Sequence, residues 1–278
     1  MALAAGLFAV AACGAAGEPG PAATAAPAPA TTAPPDETTT TVVDPFAPPA
    51  WLGRRLLPVD ADGFGEVQPT PAELVERRIQ MPDVLPAPSS TAFAATNDPV
   101  PAEVAARSTW SSACPVSLDE LRYLTVTFWG FDGRHHRGEL LVNAGAADPL
   151  IEVFRALHAE RYPIEEMRVV AAPELDLAPT GDGNNTTAFV CRPVRGSTSW
   201  SEHAYGLAVD VNPFLNPYVR GELVLPELAS AYLDRNRTAP GMIHDGDPVV
   251  AAFAAIGWEW GGAWTTLLDY QHFSANGR

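Results

Sequence analysis

Alternating apolar and polar side chains near the middle of the chain predict a β-hairpin. Residues 124–129 have the two-residue period of a half-buried strand, and residues 139–143 form a second apolar run of strand length. The glycine-bounded segment 130–138 connects the two runs and is typical of a turn. Apolar residues at helical spacing then predict a helix over 148–161.

Further elements are predicted on both sides of this hairpin. The stretch TPAE at 70–73 predicts a helix to about Gln80 with Thr70 as N-cap, and SLDE at 117–120 is a capping box that opens a short helix. The remaining predictions are strands over 167–171, 189–191, 207–211 and 270–273, a loop over 180–187 and a helix over 248–256. Because the strands come mostly in hairpins and the helices lie apart from them, the predicted fold class is α+β with a small antiparallel sheet and flanking helices.

Composition divides the chain into four parts. Residues 1–13 contain an apolar run that has the length of a signal-peptide core and is too short to cross a bilayer. Residues 14–50 are rich in Ala, Pro, Thr and Gly and predict a disordered tether. A mixed helix and loop segment is predicted over 51–109, which we expect to pack on the folded domain over 110–278 or to bridge to it.

The stretch VAACG at 10–14 resembles the lipobox of bacterial lipoproteins. This resemblance implies that Cys13 is lipidated and anchors the protein to the cell membrane. No basic residue precedes the apolar run, which departs from the usual signal peptide, so an apolar terminus without signal function is the alternative. In the oxidising compartment that an anchor implies, Cys114 and Cys191 are an even pair that can form an intrachain disulfide or stay as two buried thiols.

The charge balance limits the classes of partner. The chain has 17 basic and 33 acidic side chains, a formal net charge of −16, and every basic residue is an arginine. Nucleic acid is therefore not an expected partner, because binding phosphates requires a basic face. No cysteine spacing fits a metal site, so any metal must be held by histidines and carboxylates.

The stretch SEHAYGLAVDVNP at 201–213 places an aspartate inside an apolar strand. A buried carboxylate costs several kcal/mol unless it is paired or binds a metal. Gly206 permits a bend, so that His203 from a loop and Asp210 from the strand can converge. Near the C-terminus, His272 offers a third ligand, and two histidines with one aspartate leave an open position, as in catalytic zinc sites. Asp269 would then be free to act as a general base.

This spacing by itself also allows the alternative of core histidines and capping aspartates. His135 and His136 are predicted to lie in a solvated turn. Trp258, Trp260 and Trp264 are predicted to pack in the core beneath the site, with lining of a cleft as the alternative.

Several ordered motifs resemble the zinc D-alanyl-D-alanine carboxypeptidases of the VanX/VanY type, and most of all the subgroup with phage L-alanyl-D-glutamate endopeptidases. The pattern Ser201-x-His203-x-x-Gly206-x-Ala208-x-Asp210 is followed by Asp269-x-x-His272. The segments 129–133, 185–192 and 258–264 also read like that subgroup, so the resemblance covers about 110–275. It implies the LAS/hedgehog-type peptidase fold around a zinc site.

Carried over residue by residue, the resemblance implies one Zn²⁺ held by His203, Asp210 and His272. It makes Asp269 the catalytic base that takes a proton from the attacking water. Arg192 is the match to an arginine that binds the substrate carbonyl or the developing oxyanion, and Arg195 is a weaker candidate.

The function that the resemblance implies is hydrolysis of peptidoglycan stem peptides, as a D-Ala-D-Ala carboxypeptidase or an L-Ala-D-Glu endopeptidase. The expected protein is an extracytoplasmic monomer whose sole membrane contact is the lipid at Cys13. A non-catalytic cell-wall-binding lipoprotein module is the alternative function, and a metal-dependent hydrolase with another substrate is a third.

Overall fold

The computed structural model describes residues 44–61 and 63–277, together with residues 17 and 20. The predicted signal peptide with Cys13 and most of the predicted tether lie outside the described residues. Residues Val43–Arg278 form one structural unit, and no helix in the described part of the chain has the length and apolar character needed to span a membrane.

The largest sheet contains the predicted hairpin. Strand β1 is Ala95–Pro99, β2 is Leu121–Trp129 and β3 is His135–Asn143, and they pair antiparallel in the order β1-β2-β3. The predicted strands over 124–129 and 139–143 are confirmed and extended, because ladder hydrogen bonds join backbone groups whatever the side chains are. Strand β1 lies in the segment predicted as helix and loop. Four of its five residues are exposed, so it has no apolar alternation to reveal it.

Two longer helices cover the core. Helix α3, Ala147–Ala159, buries the apolar face that its spacing predicts and packs on β2. Helix α4, Pro248–Ala255, confirms the helix predicted over 248–256 and packs beside α3. A third helix, α2, spans Ala102–Arg107.

The predicted helix over 70–80 is wrong in length and in its cap. Helix α1 spans Ala72–Val75 only, and its N-cap is Pro71. The Thr70 hydroxyl donates a hydrogen bond to the Leu228 carbonyl at 2.6 Å and accepts one from the Ala231 amide at 2.8 Å. A tertiary contact therefore uses the group that the local pattern assigns to capping.

The remaining strands are short. They are β4 (Glu166–Met167), β5 (Asn185–Thr186), β6 (Ala208–Asp210), β7 (Tyr218–Arg220), β8 (Leu223–Leu225), β9 (Glu259–Trp260), β10 (Leu268–Asp269) and β11 (His272–Ser274). Two antiparallel sheets have the orders β6-β11-β9 and β10-β7-β8, and β4 pairs with β5 in parallel. Single turns of 3-10 helix lie at Leu118–Glu120, Ala172–Asp176, Glu202–Tyr205, Ser230–Tyr232 and Gly261–Ala263. The α+β class with small antiparallel sheets is confirmed.

Four local predictions need correction. The capping box at 117–120 is present but opens a single 3-10 turn. The loop predicted over 180–187 contains β5, and the strand predicted over 167–171 is limited to β4. Residues 189–191 form no strand, because the Phe189 and Val190 amides donate instead to the Leu141 and His203 carbonyls.

The N-terminal segment, residues 51–109, docks on the rest of the folded unit through a buried ion pair. Arg77 Nη2 lies 2.6 Å from Glu165 Oε1, and the two side chains are 1% and 2% exposed. Arg77 Nη1 also donates to the Asp182 carbonyl at 2.8 Å, and the Leu57 amide donates to the Pro179 carbonyl at 2.9 Å. Removing one partner would leave an uncompensated buried charge, so this pair holds the segment against residues 165–182.

The two cysteines of the predicted pair are joined. Cys114 and Cys191 form a disulfide with their Cα atoms 5.8 Å apart, so the alternative of two free thiols is wrong. The bond ties the segment before Arg192 to the residues that precede β2.

His136 lies between two carboxylates in a partly buried cluster and not in a solvated turn. His135 and His136 open strand β3, and His136 has Nδ1 3.1 Å from Asp83 Oδ1 and Nε2 3.0 Å from Asp132 Oδ1. Burial opposes the charged imidazole, but the two carboxylates outweigh it and raise the pKa of His136. The charged side chain thereby links the N-terminal segment to the hairpin.

Replacing His136 with Gln should change the pH dependence of stability. Because the folded-state pKa is raised, the charged form stabilises the protein fully below the unfolded-state pKa of about 6.5, and this contribution is lost as pH rises through the folded-state pKa. We expect the Tm of the wild type minus that of His136→Gln to fall as the pH rises above about 6.5. His158→Gln is the control with the opposite slope, because burial lowers the pKa of His158. A wild-type advantage that does not vary with pH would contradict the assignment.

Gly206 ends the 3-10 turn Glu202–Tyr205 in close contact with strand β3. Its φ is +67°, and a Cβ at this position would lie 2.5 Å from the backbone nitrogen of Asn143. The position therefore requires glycine both for its left-handed conformation and for space.

Gly206→Ala should lower the free energy of unfolding by about 2–4 kcal/mol, because a left-handed alanine and an overpacked backbone contact add. Gly133→Ala is the matched control, since Gly133 has φ +72° and open space around it. Gly133→Ala should lower the free energy of unfolding by only about 1–2 kcal/mol, because the left-handed alanine is unfavourable but makes no overpacked contact. Equal losses in chemical denaturation would show that the contact with Asn143 does not matter.

Candidate metal and active site

The first predicted ligand, His203, is held by a capped turn. It lies in the 3-10 helix Glu202–Tyr205 and not in a loop as predicted, and the Ser201 hydroxyl accepts a hydrogen bond from its amide at 3.3 Å. Its Nδ1 lies 2.5 Å from the Ala188 carbonyl oxygen. A carbonyl only accepts, so Nδ1 carries the proton and Nε2 presents a lone pair to the site.

The other two ligands face each other across a strand pair. Asp210 on β6 is directly opposite His272 on β11, while their neighbours Val209 and Phe273 are paired and fully buried in the core. Alternation along both strands therefore puts the apolar side chains on one face and the two polar ones on the other. This is why an aspartate occurs in an apolar run.

The three side chains converge on one point. His203 Nε2 lies 3.2 Å from Asp210 Oδ2, His272 Nδ1 lies 3.0 Å from Asp210 Oδ1, and the two ring nitrogens are 3.3 Å apart. Each of the three residues offers one donor atom within 4.8 Å of the others. Among the described residues, this is the group of histidines and carboxylates that can hold a metal ion.

The donor set fits a zinc-type ion. Zinc–nitrogen bonds of about 2.0–2.1 Å in tetrahedral geometry put neighbouring ligand atoms about 3.3 Å apart. The two ring nitrogens are 3.3 Å apart, which matches that spacing, and each has an Asp210 oxygen within 3.0–3.2 Å. Two imidazole nitrogens and one carboxylate are also the ligand types of catalytic zinc sites, in which the protein leaves one position open.

The Asp210 carboxylate is charged. Burial would raise its pKa, but His203 and then His272 hold the pKa of Asp210 well below its ordinary value. The group is therefore an anion at neutral pH, the form that a metal requires.

Asp269 lies in the same cleft on strand β10, opposite Tyr218 of β7. Its Oδ1 atom is buried and has no hydrogen-bond partner among the described residues. Burial raises the pKa of Asp269 to about 7, and the Asp210 charge adds to this, although His272 and Arg192 act in the opposite direction. An unpartnered acceptor beside the ligand set is free to receive a proton.

Both predicted arginines line the cleft. Arg192 is exposed, and its Nη1 donates to the Pro193 carbonyl at 3.2 Å. Arg195 packs its guanidinium over the Phe64 ring, 3.6 Å from the centroid. The N-terminal segment, whose role the sequence leaves open, therefore contacts one of the side chains that line the cleft.

The cleft has a volume of about 1020 Å³, which suits a peptide or another ligand of similar size. Part of its wall is the hairpin β7–β8, which the sequence analysis misses. The signal that could have revealed it is the two-residue turn Gly221-Glu222 between two short apolar runs, with Gly221 at φ +60°. Trp264 also lines the cleft, whereas Trp258 and Trp260 are buried in the core.

Comparison with protein families gives one match. Residues 195–275 match the family model described as D-alanyl-D-alanine carboxypeptidase. The matched segment contains His203, Asp210, Asp269 and His272, while Arg192 lies just before it. No curated protein and no solved structure matches the chain. Over residues 195–275, the comparison confirms the resemblance to the D-alanyl-D-alanine carboxypeptidases, a family of peptidases.

Proposed function

We propose that this protein is a zinc-dependent peptidase that hydrolyses peptide bonds in peptidoglycan stem peptides. The observation that carries the proposal is the convergence of His203, Asp210 and His272 in a cleft, beside Asp269, whose buried Oδ1 has no hydrogen-bond partner among the described residues. The reaction is that of a D-Ala-D-Ala carboxypeptidase or of an L-Ala-D-Glu endopeptidase. The family match supports the carboxypeptidase class.

His203, Asp210 and His272 would hold the zinc ion. When bound, zinc supplies Lewis-acid polarisation of a carbonyl group and makes a water molecule more acidic. The hydrogen bond from His203 Nδ1 to the Ala188 carbonyl selects the tautomer and orientation of that ring. The pairing of β6 with β11 fixes the other two side chains relative to each other.

Asp269 would act as the general base and then as the general acid. Its Oδ1 has no hydrogen-bond partner in the described part of the chain, so it can accept a proton from the attacking water and later donate it to the leaving amine. Arg192 would bind the substrate carbonyl oxygen as negative charge develops on it. The disulfide at Cys191 and the contact between Ala188 and His203 hold the segment that carries this arginine.

We also propose an extracytoplasmic, membrane-anchored location with lipidated Cys13 as the anchor and residues 14–50 as the tether. The composition of the first fifty residues supports this, and the disulfide suits an oxidising compartment. We also propose that the protein is a monomer.

His272→Ala should abolish zinc binding. The wild type should bind about one zinc ion per chain, and a chelator should lower its Tm, because an ion that binds only the folded state stabilises it. The variant should contain no zinc and show no response to the chelator. His244→Ala is the control, since His244 pairs with Asp247 outside the cleft and its loss should leave zinc bound. A wild-type protein without zinc would refute the metal assignment.

Asp269→Asn should keep zinc bound and lower kcat/KM by about 10²–10⁴-fold, the usual contribution of a general base. Mass spectrometry of digested muropeptides is the assay. Loss of one alanine would identify a carboxypeptidase, and release of the stem tail an endopeptidase. Asp247→Asn is the matched control outside the cleft and should retain activity. Full activity of Asp269→Asn would refute its role, and muropeptides left intact by the zinc-loaded wild type would favour a non-catalytic wall-binding module.

A further inference from the structure

Trp264 presents a buried hydrogen-bond donor that has no acceptor. Its indole Nε1 is buried and has no hydrogen-bond partner among the described residues, and the side chain lines the same cleft as the ligand set. An indole nitrogen can only donate a hydrogen bond, so it is satisfied only when an acceptor atom lies beside it. Buried polar groups in folded proteins are nearly always paired, so an exception at a cleft needs an explanation.

Other tryptophans of the chain show the usual arrangement. The indole nitrogens of Trp110, Trp129 and Trp260 donate to backbone carbonyls of Val116, His158 and Tyr270 at 3.0, 2.9 and 2.9 Å. Trp260 lies four residues before Trp264 in the same WGGAW stretch, yet its donor is satisfied inside the protein. The difference points to an acceptor that comes from outside the chain.

The backbone holds the Trp264 ring close to the reacting groups. The Trp264 amide donates to the Gly261 carbonyl at 3.3 Å, which ends the turn Gly261–Ala263. A Cβ on Gly261 would lie 3.3 Å from Trp264 Cη2 and 2.9 Å from Asp269 Cβ, so Gly261 lets the ring approach Asp269. The ring centroids of Trp264 and His272 are 5.6 Å apart. A ligand that reaches the proposed metal site therefore passes beside this indole.

We propose that Trp264 Nε1–H binds a carbonyl or carboxylate oxygen of the peptide substrate. This inference rests on the proposed function, and it makes Trp264 a substrate-binding residue in addition to the zinc ligands, Asp269 and Arg192. A peptide offers an oxygen acceptor at every residue and, at its C-terminus, an ionised one. A neutral donor can bind either kind without adding a charge beside Asp269.

The first test removes the donor with two replacements, the second of which also keeps the shape of the side chain. Trp264→Phe, and replacement of Trp264 by 3-benzothienylalanine, in which sulfur stands in place of N–H, should both retain zinc and lower kcat/KM on a peptide ending in D-Ala-D-Ala. The expected loss is about 3–10-fold for a neutral acceptor and about 10–100-fold for a carboxylate. Trp260→Phe is the matched control. It should lower Tm through its lost bond to Tyr270 and leave kcat/KM within about twofold, as expected of a residue remote from substrate. An unchanged kcat/KM with the isosteric replacement would overturn the proposal.

Two forms of the peptide distinguish the acceptor. If the terminal carboxylate accepts the bond, the loss should be larger on the free acid than on the C-terminal amide. If a main-chain carbonyl accepts it, the loss should be the same on both peptides. Either pattern supports the proposal, and no loss on either peptide refutes it.

A binding measurement separates this inference from the proposed reaction. In ¹⁵N-labelled, zinc-loaded Asp269→Asn protein, the indole signal of Trp264 is identified by its absence in the double variant with Trp264→Phe. Titration with the same peptide should shift its N–H proton downfield and leave the Trp260 signal in place. An unshifted Trp264 signal at saturating peptide would refute the contact. A shifted signal in a protein whose wild type cleaves no peptide would refute the peptidase function and keep the contact.

Discussion

The site depends on one cross-strand pair, Asp210 opposite His272. Strands β6 and β11 place these side chains on the face away from the core, while Val209 and Phe273 bury the other face. The carboxylate lies between two imidazoles, 3.0 and 3.2 Å from their ring nitrogens, so both of its oxygens have polar neighbours although the residue is largely buried. A one-residue slip of either strand would turn its own ligand towards the core and away from the other ligand, which makes strand register a condition for metal binding.

Other parts of the chain support this pair, most of them outside residues 195–275, the segment that matches the carboxypeptidase family. The disulfide and the Ala188 carbonyl hold the segment before His203, and Gly206 allows the turn to pack on β3. The buried ion pair of Arg77 and Glu165 also holds the N-terminal segment next to Asp182. Residues far apart in sequence thus form one rigid support, which is what a preorganised catalytic site requires.

Local signals account for the parts of the fold that could be predicted. Strands β2 and β3 and helices α3 and α4 have clear periodicity, and the ligands are few in type and have recognisable spacing. Strand β1 is mostly exposed and shows no alternation of apolar and polar residues, so periodicity could not reveal it. Strands β4 and β5 have two residues each and are too short for any pattern. The predictions of an N-cap at Thr70 and of a solvated turn at His136 were wrong because distant residues bind these side chains. Thr70 binds Leu228, and His136 binds Asp83.

The amino-acid sequence by itself determined the α+β class, the disulfide partners and the set of residues that can hold a metal, because these follow from residue type, spacing and family motif. Only the tertiary structure decided which groups are left without partners. Trp260 and Trp264 are chemically identical and four residues apart, yet one indole nitrogen meets the Tyr270 carbonyl and the other has no acceptor among the described residues. Whether a buried donor or acceptor is satisfied depends on atoms brought near it from elsewhere in the chain, and no local pattern encodes those atoms.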